Sequence, residues 1–285
     1  MKATKQQGFD HFINKVALII DHWEQAEAPC LLLDALGSII GFKFALAVVH
    51  LPDSPPVHLA DTFTRPLEKQ ALSHYLNNTY ILNPVYNAYK KGLKEGVYRM
   101  RELAPDHYFS SDYYHQFKAH ALAGEEIGYK TYGWPTGMEE LLITIDLPEG
   151  RMGEVSLSRA SNDGGFDDMD LQKLGRIAPL IAALYRRLWQ QANRRDKPQG
   201  GGAKASVTGT LLLKSGKSTL GDGCLSRRES EIAHMILQGH SSQSISLHLN
   251  ISLTTVKTHR RNLYAKLNIS TQQELFAAFL HTLSA

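Results

Sequence analysis

The chain has 285 residues, 43% hydrophobic and 21% charged, with two cysteines and a formal net charge of +3. That length and apolar fraction suit two globular domains and argue against a disordered or fibrous chain, while cysteines as far apart as Cys30 and Cys224 exclude a disulfide framework or a cysteine zinc site. Charge is divided unevenly, with 19 Lys+Arg against 23 Asp+Glu in residues 1–189 and 12 against 5 in residues 190–285, so the basic part is C-terminal and suits a polyanion.

In chain order, Phe9, Phe12, Ile13, Val16, Ile19, Ile20 and Trp23 recur at intervals of three and four and predict an amphipathic helix ending before Pro29. A second short helix is expected over Cys30–Leu36. No charged-then-apolar leader opens the sequence, and the most apolar region, Leu31–Val49, is interrupted by Asp34 and Lys43. A soluble cytoplasmic protein with no membrane span is therefore expected. Ser38–His50, rich in β-branched residues, predicts a buried strand closed by Pro52, Pro55 and Pro56, with Val57–Thr64 as its partner. Glu68–Asn77 returns to helical spacing. Leu141–Leu147 and Met152–Ser158, flanking Pro148-Glu-Gly-Arg, predict a β-hairpin. Asp167–Gln191 predicts a long helix, apolar from Leu171 to Leu188 and kinked at Pro179. Residues 1–190 thus read as an α+β domain, an antiparallel sheet with helices on one side, which resembles the plan of GAF and PAS sensor domains.

Tyrosines crowd the stretch from Tyr75 to Trp134. Such side chains join an apolar body to a polar tip and suit a pocket that orients a small molecule, although in an α+β domain they are more often core and rim than ligand cage. Tyr80, Tyr86 and Trp134 are the candidate ligand contacts. Catalysis is not expected. No nucleophile elbow, phosphate loop, His-Glu-x-x-His helix or paired-cysteine motif stands in a fitting context, and His107, His115 and His120, near Asp106 and Asp112, are not committed to one helix face. No cofactor or metal is called for. A phosphorylated receiver domain is rejected as well, because Asp53 follows the first strong strand, no early acid pair fits, and a hairpin stands where β-α units would be needed.

Residues 191–223, with Asn193-Arg-Arg-Asp-Lys-Pro, Gly200-Gly-Gly and a Gly-, Ser- and Lys-rich run, read as a flexible linker.

The remaining 224–285 predict an all-α domain of four helices. Ser226 and Glu229 form a capping box for the first, whose inner face is Ile232, Ala233, Ile236 and Leu237 and whose end is Gly239. Ser241 or Ser242 caps the second, with Ile245 and Leu249 inward. Ser252 caps the third, in which Val256, Leu263 and Leu267 share one sector and Thr254, Lys257, Thr258 and Arg261 the opposite one. Thr271 and Glu274 open the fourth, with Leu275, Ala278, Phe279 and Leu283 along one side. Two short helices joined by a tight turn, the second one basic, form a helix-turn-helix. Periodicity alone also fits a bundle whose cationic stripe is merely solvated.

The ordered run Leu225-Ser-Arg-Arg-Glu-Ser-Glu, Gly239, Ile251-Ser, Thr255-Val-Lys-Thr-His and Lys266-Leu resembles the DNA-binding domain of LuxR-type transcription regulators. The resemblance implies that Lys257, Thr258 and Arg261 face base edges and that Thr255, His259 and Arg260 sit nearer phosphates; Thr254 joins that face by its helical spacing. It also implies a homodimer through the fourth helix, at Leu275, Ala278 and Phe279, and double-stranded DNA as partner, with RNA polymerase a further candidate. The family usually has an acid where Ser244 stands and an alanine at Ser246. Upstream, Tyr75 and Tyr80 with Asn83-Pro84-Val85-Tyr86, then Ser111-Asp-Tyr-Tyr, resemble the GAF-like region of some of these regulators. An autoinducer-binding domain of the quorum-sensing members is the more distant likeness, since Asn83 stands where they carry Asp. A regulator controlled by a small molecule is the expectation. Control by a protein partner, or by a quorum-sensing autoinducer, stays as the alternative.

Overall fold

A computed structural model of the chain describes residues 2–52, 54–77, 79–108, 138–195 and 224–284. The first part comprises helices α1 (Lys2–Asp21) and α2 (Ala28–Ile39), strands β1 (Phe44–Leu51) and β2 (Ser54–Asp61), and α3 (Pro66–Asn77). A 3-10 turn (Thr79–Leu82), α4 (Pro84–Lys90), β3 (Gly96–Arg99) and the short α5 (Met100–Leu103) follow. It ends with β4 (Met138–Leu147), β5 (Arg151–Ala160) and the long α6 (Asp168–Arg195). The second part is α7 (Arg227–Leu237), α8 (Ser242–Leu249), α9 (Leu253–Leu267) and α10 (Gln272–Ser284).

The five strands form one sheet in the order β2-β1-β5-β4-β3, antiparallel throughout. Such a sheet is incompatible with the parallel β-α repeat of a receiver domain. Because side chains alternate across a strand, Ala45, Ala47, Val49, Leu141, Ile143, Val155 and Leu157 share one face and pack with α1, α2 and α6. Phe44, Leu46, Val48, Leu142 and Met152 share the other and pack with Tyr75, Tyr80, Val85 and Tyr86 of α3, the 3-10 turn and α4. The expectation of helices on one side is corrected: both faces are covered, in three layers. Its cause is the segment 79–103, whose short elements lack a full period of apolar spacing to read.

Local chemistry explains the boundaries. Pro29 stands in the first turn of α2, where its missing N–H costs nothing, so the second helix starts before Cys30 rather than at it. That helix runs on to Ile39 and the strand begins only at Phe44. Pro55 and Pro56 do not close a strand but lie within β2, an edge position that tolerates absent donors. The hairpin forms as expected, Leu147 facing Arg151, with Glu149 (φ 62°) and Gly150 (φ 68°) both left-handed in the turn. Pro179 lies within the continuous α6, which reaches Arg195, past the expected linker start at 191. Gly153 admits the ring of Tyr185 from α6: a Cβ there would lie 2.4 Å from Tyr185 Cε1. The phenol in turn donates to the Val48 carbonyl. Among the described residues no helix is long and apolar enough to cross a membrane.

Candidate nucleic-acid interface and sensor interior

The four C-terminal helices are built by their caps. Ser226 Oγ accepts from Glu229 N at 3.3 Å while the Glu229 carboxylate accepts from Ser226 N at 2.7 Å, a reciprocal capping box. That buried carboxylate also accepts from Lys266 Nζ at 2.7 Å, which ties the start of α7 to the end of α9. The Lys266 hydrogen bond, with those of Ser226, holds Glu229 at about 2. Gly239 ends α7 with φ 91°, and Ser241 caps α8, its Oγ accepting from Ser244 N at 3.0 Å. The turn to α9 uses left-handed Asn250 and the cap Ser252, whose Oγ accepts from Thr255 N at 3.0 Å. The two serines of α8 that depart from the resemblance are accommodated locally: Ser244 Oγ pairs with His240 Nδ1 at 2.9 Å, and buried Ser246 donates to the Gln243 carbonyl at 2.8 Å.

Val256 and Leu263 are fully buried and seat α9 on α7 and α8. Thr254, Lys257, Thr258 and Arg261 are exposed, and Thr255, His259 and Arg260 half-buried. Thr258 Oγ1 donates back to the Thr254 carbonyl at 3.0 Å, and Arg260 lies over the Tyr264 ring, 5.4 Å from its centroid. The helix contains no acid. Its outer face is therefore a rigid cationic and hydroxyl-bearing ridge. Leu275 and Phe279 point into the domain's own core and Ala278 is half-buried, so this stretch of α10 packs on α7; the side chain of Leu283 lies outside the described residues.

In the first part, Tyr80 and Tyr86 meet edge to face at 5.0 Å and are buried; Trp134, His115, His120 and Ser111-Asp-Tyr-Tyr lie outside the described residues. Beneath Tyr86 and Tyr89 sits a feature the periodicity reading missed, His50, whose Nε2 lies 2.5 Å from Glu154 Oε2. Both side chains are buried. Among the described residues, His50 Nδ1 and the buried Ser158 Oγ have no hydrogen-bond partner. Glu154, Ser156 and Ser158 alternate with Gly153, Val155 and Leu157, so β5 lays a polar stripe along the tyrosine-covered face. The alternation was legible; that both faces would be buried was not. A cavity of about 220 Å³ opens on the same side of the domain, walled by Met100, Arg101, Tyr108, Met138, Glu140 and Phe166. Tyr80 and Tyr86 do not line it. Among the described residues no cluster of His, Cys, Asp or Glu fits a metal ion.

Several known proteins resemble this chain. Residues 224–279 match the family model described as bacterial regulatory proteins, luxR family. A protein of Aeromonas salmonicida described as an HTH-type transcriptional regulator in the exeN 3′ region is 28% identical over 206 residues, 70% of this chain and 94% of that protein. The transcriptional regulator MalT of Vibrio cholerae is 44% identical over 50 residues, 18% of this chain and only 6% of its own length. Among solved structures, the VqsR LBD domain of Pseudomonas aeruginosa gives a TM-score of 0.49 at 17% identity, covering 62% of this chain and 96% of that one. Escherichia coli SdiA gives 0.41 at 18% identity, covering 96% and 98%.

Proposed function

We propose that this chain regulates transcription, binding double-stranded DNA through residues 224–285 under the control of a small-molecule sensor in residues 1–195, the two joined by 196–223. The observation that carries the reading is α9: a helix seated by buried Val256 and Leu263 whose outer residues are Thr254, Lys257, Thr258 and Arg261, without an acid, in a segment that matches the luxR family model. In a helix-turn-helix that second helix enters the major groove. Lys257, Thr258 and Arg261 then read base edges, and Thr255, His259 and Arg260 contact phosphates, which fix register without reading sequence.

The sensor reading draws on the interior of the sheet domain. A buried polar stripe under a tyrosine layer, beside a cavity, suits an amphiphilic small molecule, with Tyr80 and Tyr86 shaping the layer above it. Homodimerisation and contact with RNA polymerase complete the proposal. Since Leu275 and Phe279 face inward, pairing through α10 falls to Ala278 and its exposed neighbours. Two copies related by a two-fold axis would engage half-sites about 34–36 Å apart. Selection of duplexes from a random pool by the purified full chain, followed by footprinting, tests the reading. Recovery of a two-fold symmetric sequence supports it, and failure to enrich any sequence sinks it.

A further inference from the structure

Among the described residues, the two parts of the chain meet along a seam with both polar and apolar contacts. Asp106 accepts from Ser241 N at 3.1 Å and from Ser241 Oγ. His107 N donates to the Gly239 carbonyl at 3.0 Å, and Gln238 Nε2 donates to Asn87 Oδ1 at 2.8 Å. Gly239 lies so close to the sheet domain that a Cβ there would stand 2.7 Å from Tyr108 Cα. Apolar burial is continuous across the seam, from Tyr80, Val85, Tyr86 and Tyr108 to Ile232, Ile236 and Leu237.

What the seam occupies matters. Ser241 is the cap of α8, the first helix of the helix-turn-helix pair, and in that arrangement the first helix crosses the DNA backbone. Helix starts with free N–H groups are where phosphates are held. Here the Ser241 amide and hydroxyl are both spent on a carboxylate, which places a fixed negative charge where a phosphate would come. Partial burial works against that charge, but the hydrogen bonds from Ser241 and the nearby His107 and His240 outweigh it and hold Asp106 below its ordinary range. The carboxylate is therefore ionised at neutral pH.

We propose that the contact of Asp106–Tyr108 with Gln238–Ser241 is an autoinhibitory clasp that holds the helix-turn-helix against the sheet domain and blocks its approach to the DNA backbone. The inference rests on the DNA-binding reading above. Opening the clasp exposes the start of α8 and removes a repelling charge.

The test uses the full chain and Asp106→Ala, which leaves every residue of the helix-turn-helix unchanged. Glu24→Ala, at an exposed position between α1 and α2, controls for the change in net charge. Hydrogen exchange at the Ser241 amide reads the clasp, and fluorescence anisotropy with a random-sequence duplex reads its consequence. The expected result is faster exchange at Ser241 in Asp106→Ala together with duplex binding at least about fivefold tighter than in Glu24→Ala or the parent. Unchanged exchange shows that Asp106 holds nothing and overturns the clasp. Faster exchange with unchanged or weaker binding overturns its inhibitory role. If none of the three proteins binds duplex, the DNA-binding reading itself fails, and exchange at Ser241 still tells that failure apart from the absence of a clasp.

Discussion

Lys257 and Arg261 stand on the exposed ridge of α9 without a salt-bridge partner among the described residues to hold them down. A side chain that reads a base edge is worth about 1–3 kcal/mol of discrimination. Lys257→Ala and Arg261→Ala should each weaken a selected duplex by about 5- to 150-fold while changing random-duplex affinity far less; equal loss on both would reassign the residue to phosphate. Glu229 acts differently, from inside. It joins the cap of α7 to Lys266 on α9, and hydrogen bonds to charged groups are worth about 1.5–3 kcal/mol. Glu229→Gln should lower the stability of the C-terminal part by roughly that amount. Urea titration followed by helical ellipticity checks it, and an unshifted midpoint would show that the bond contributes nothing.

At the scale of elements, the C-terminal helices were legible because each announces itself by a cap and an apolar face at helical spacing, and Gly239 and Asn250 mark the ends of α7 and α8. The exposed ridge of α9 follows from the same spacing. The sheet domain was legible only in part. The hairpin and the terminal helices carry long, regular patterns, whereas the 3-10 turn, α4, β3 and α5 are too short for a period to emerge, and their tertiary neighbours decide them. That gap hid the third layer, and with it the burial of His50 and Glu154. Alternation along β5 marks Glu154, Ser156 and Ser158 as sharing a face, but nothing local says that tyrosines cover that face. Nor can a sequence pattern reveal that Asp106 binds the cap residue of a helix, Ser241, 135 residues away. The packing of Tyr185 on Gly153 gives an element-level expectation. Gly153→Ala forces a methyl into the ring at 2.4 Å, and overpacking of this kind costs about 1–3 kcal/mol. Thermal unfolding of the variant should show a lower midpoint; an unchanged one would mean that α6 shifts on the sheet without penalty.

For the whole molecule, the seam between the parts carries its own pH signature. Burial pushes His234 down to about 4. Burial also pushes His240 to about 4, with His248, Lys91 and His234 adding to the effect and Asp106 opposing it. Free histidine titrates near 6.5, so both are neutral when packed and protonate more readily when released. Their contribution is complete above about pH 6.5 and is lost as pH falls from there toward about 4. The slope is at most about 1.4 kcal/mol per pH unit for each, and less for His240, which water partly screens. Glu229 has the opposite origin but the same sign, its stabilisation being present above 4.5 and lost toward about 2. Denaturant titrations of the full chain should give a flat stability above about pH 6.5 and a decline below it that precedes the carboxylate range. A flat profile down to about pH 5 would show that the histidines are not packed against the seam in solution.

Quantitative footprinting of the full chain on duplexes it selects from a random pool tests most directly whether α9 reads DNA sequence. Protection should centre on a two-fold symmetric sequence with half-sites one helical turn apart, and Lys257→Ala should lose that protection while still binding random duplex. Uniform protection along every duplex, unchanged in Lys257→Ala, would mean that the cationic ridge is only a solvated face.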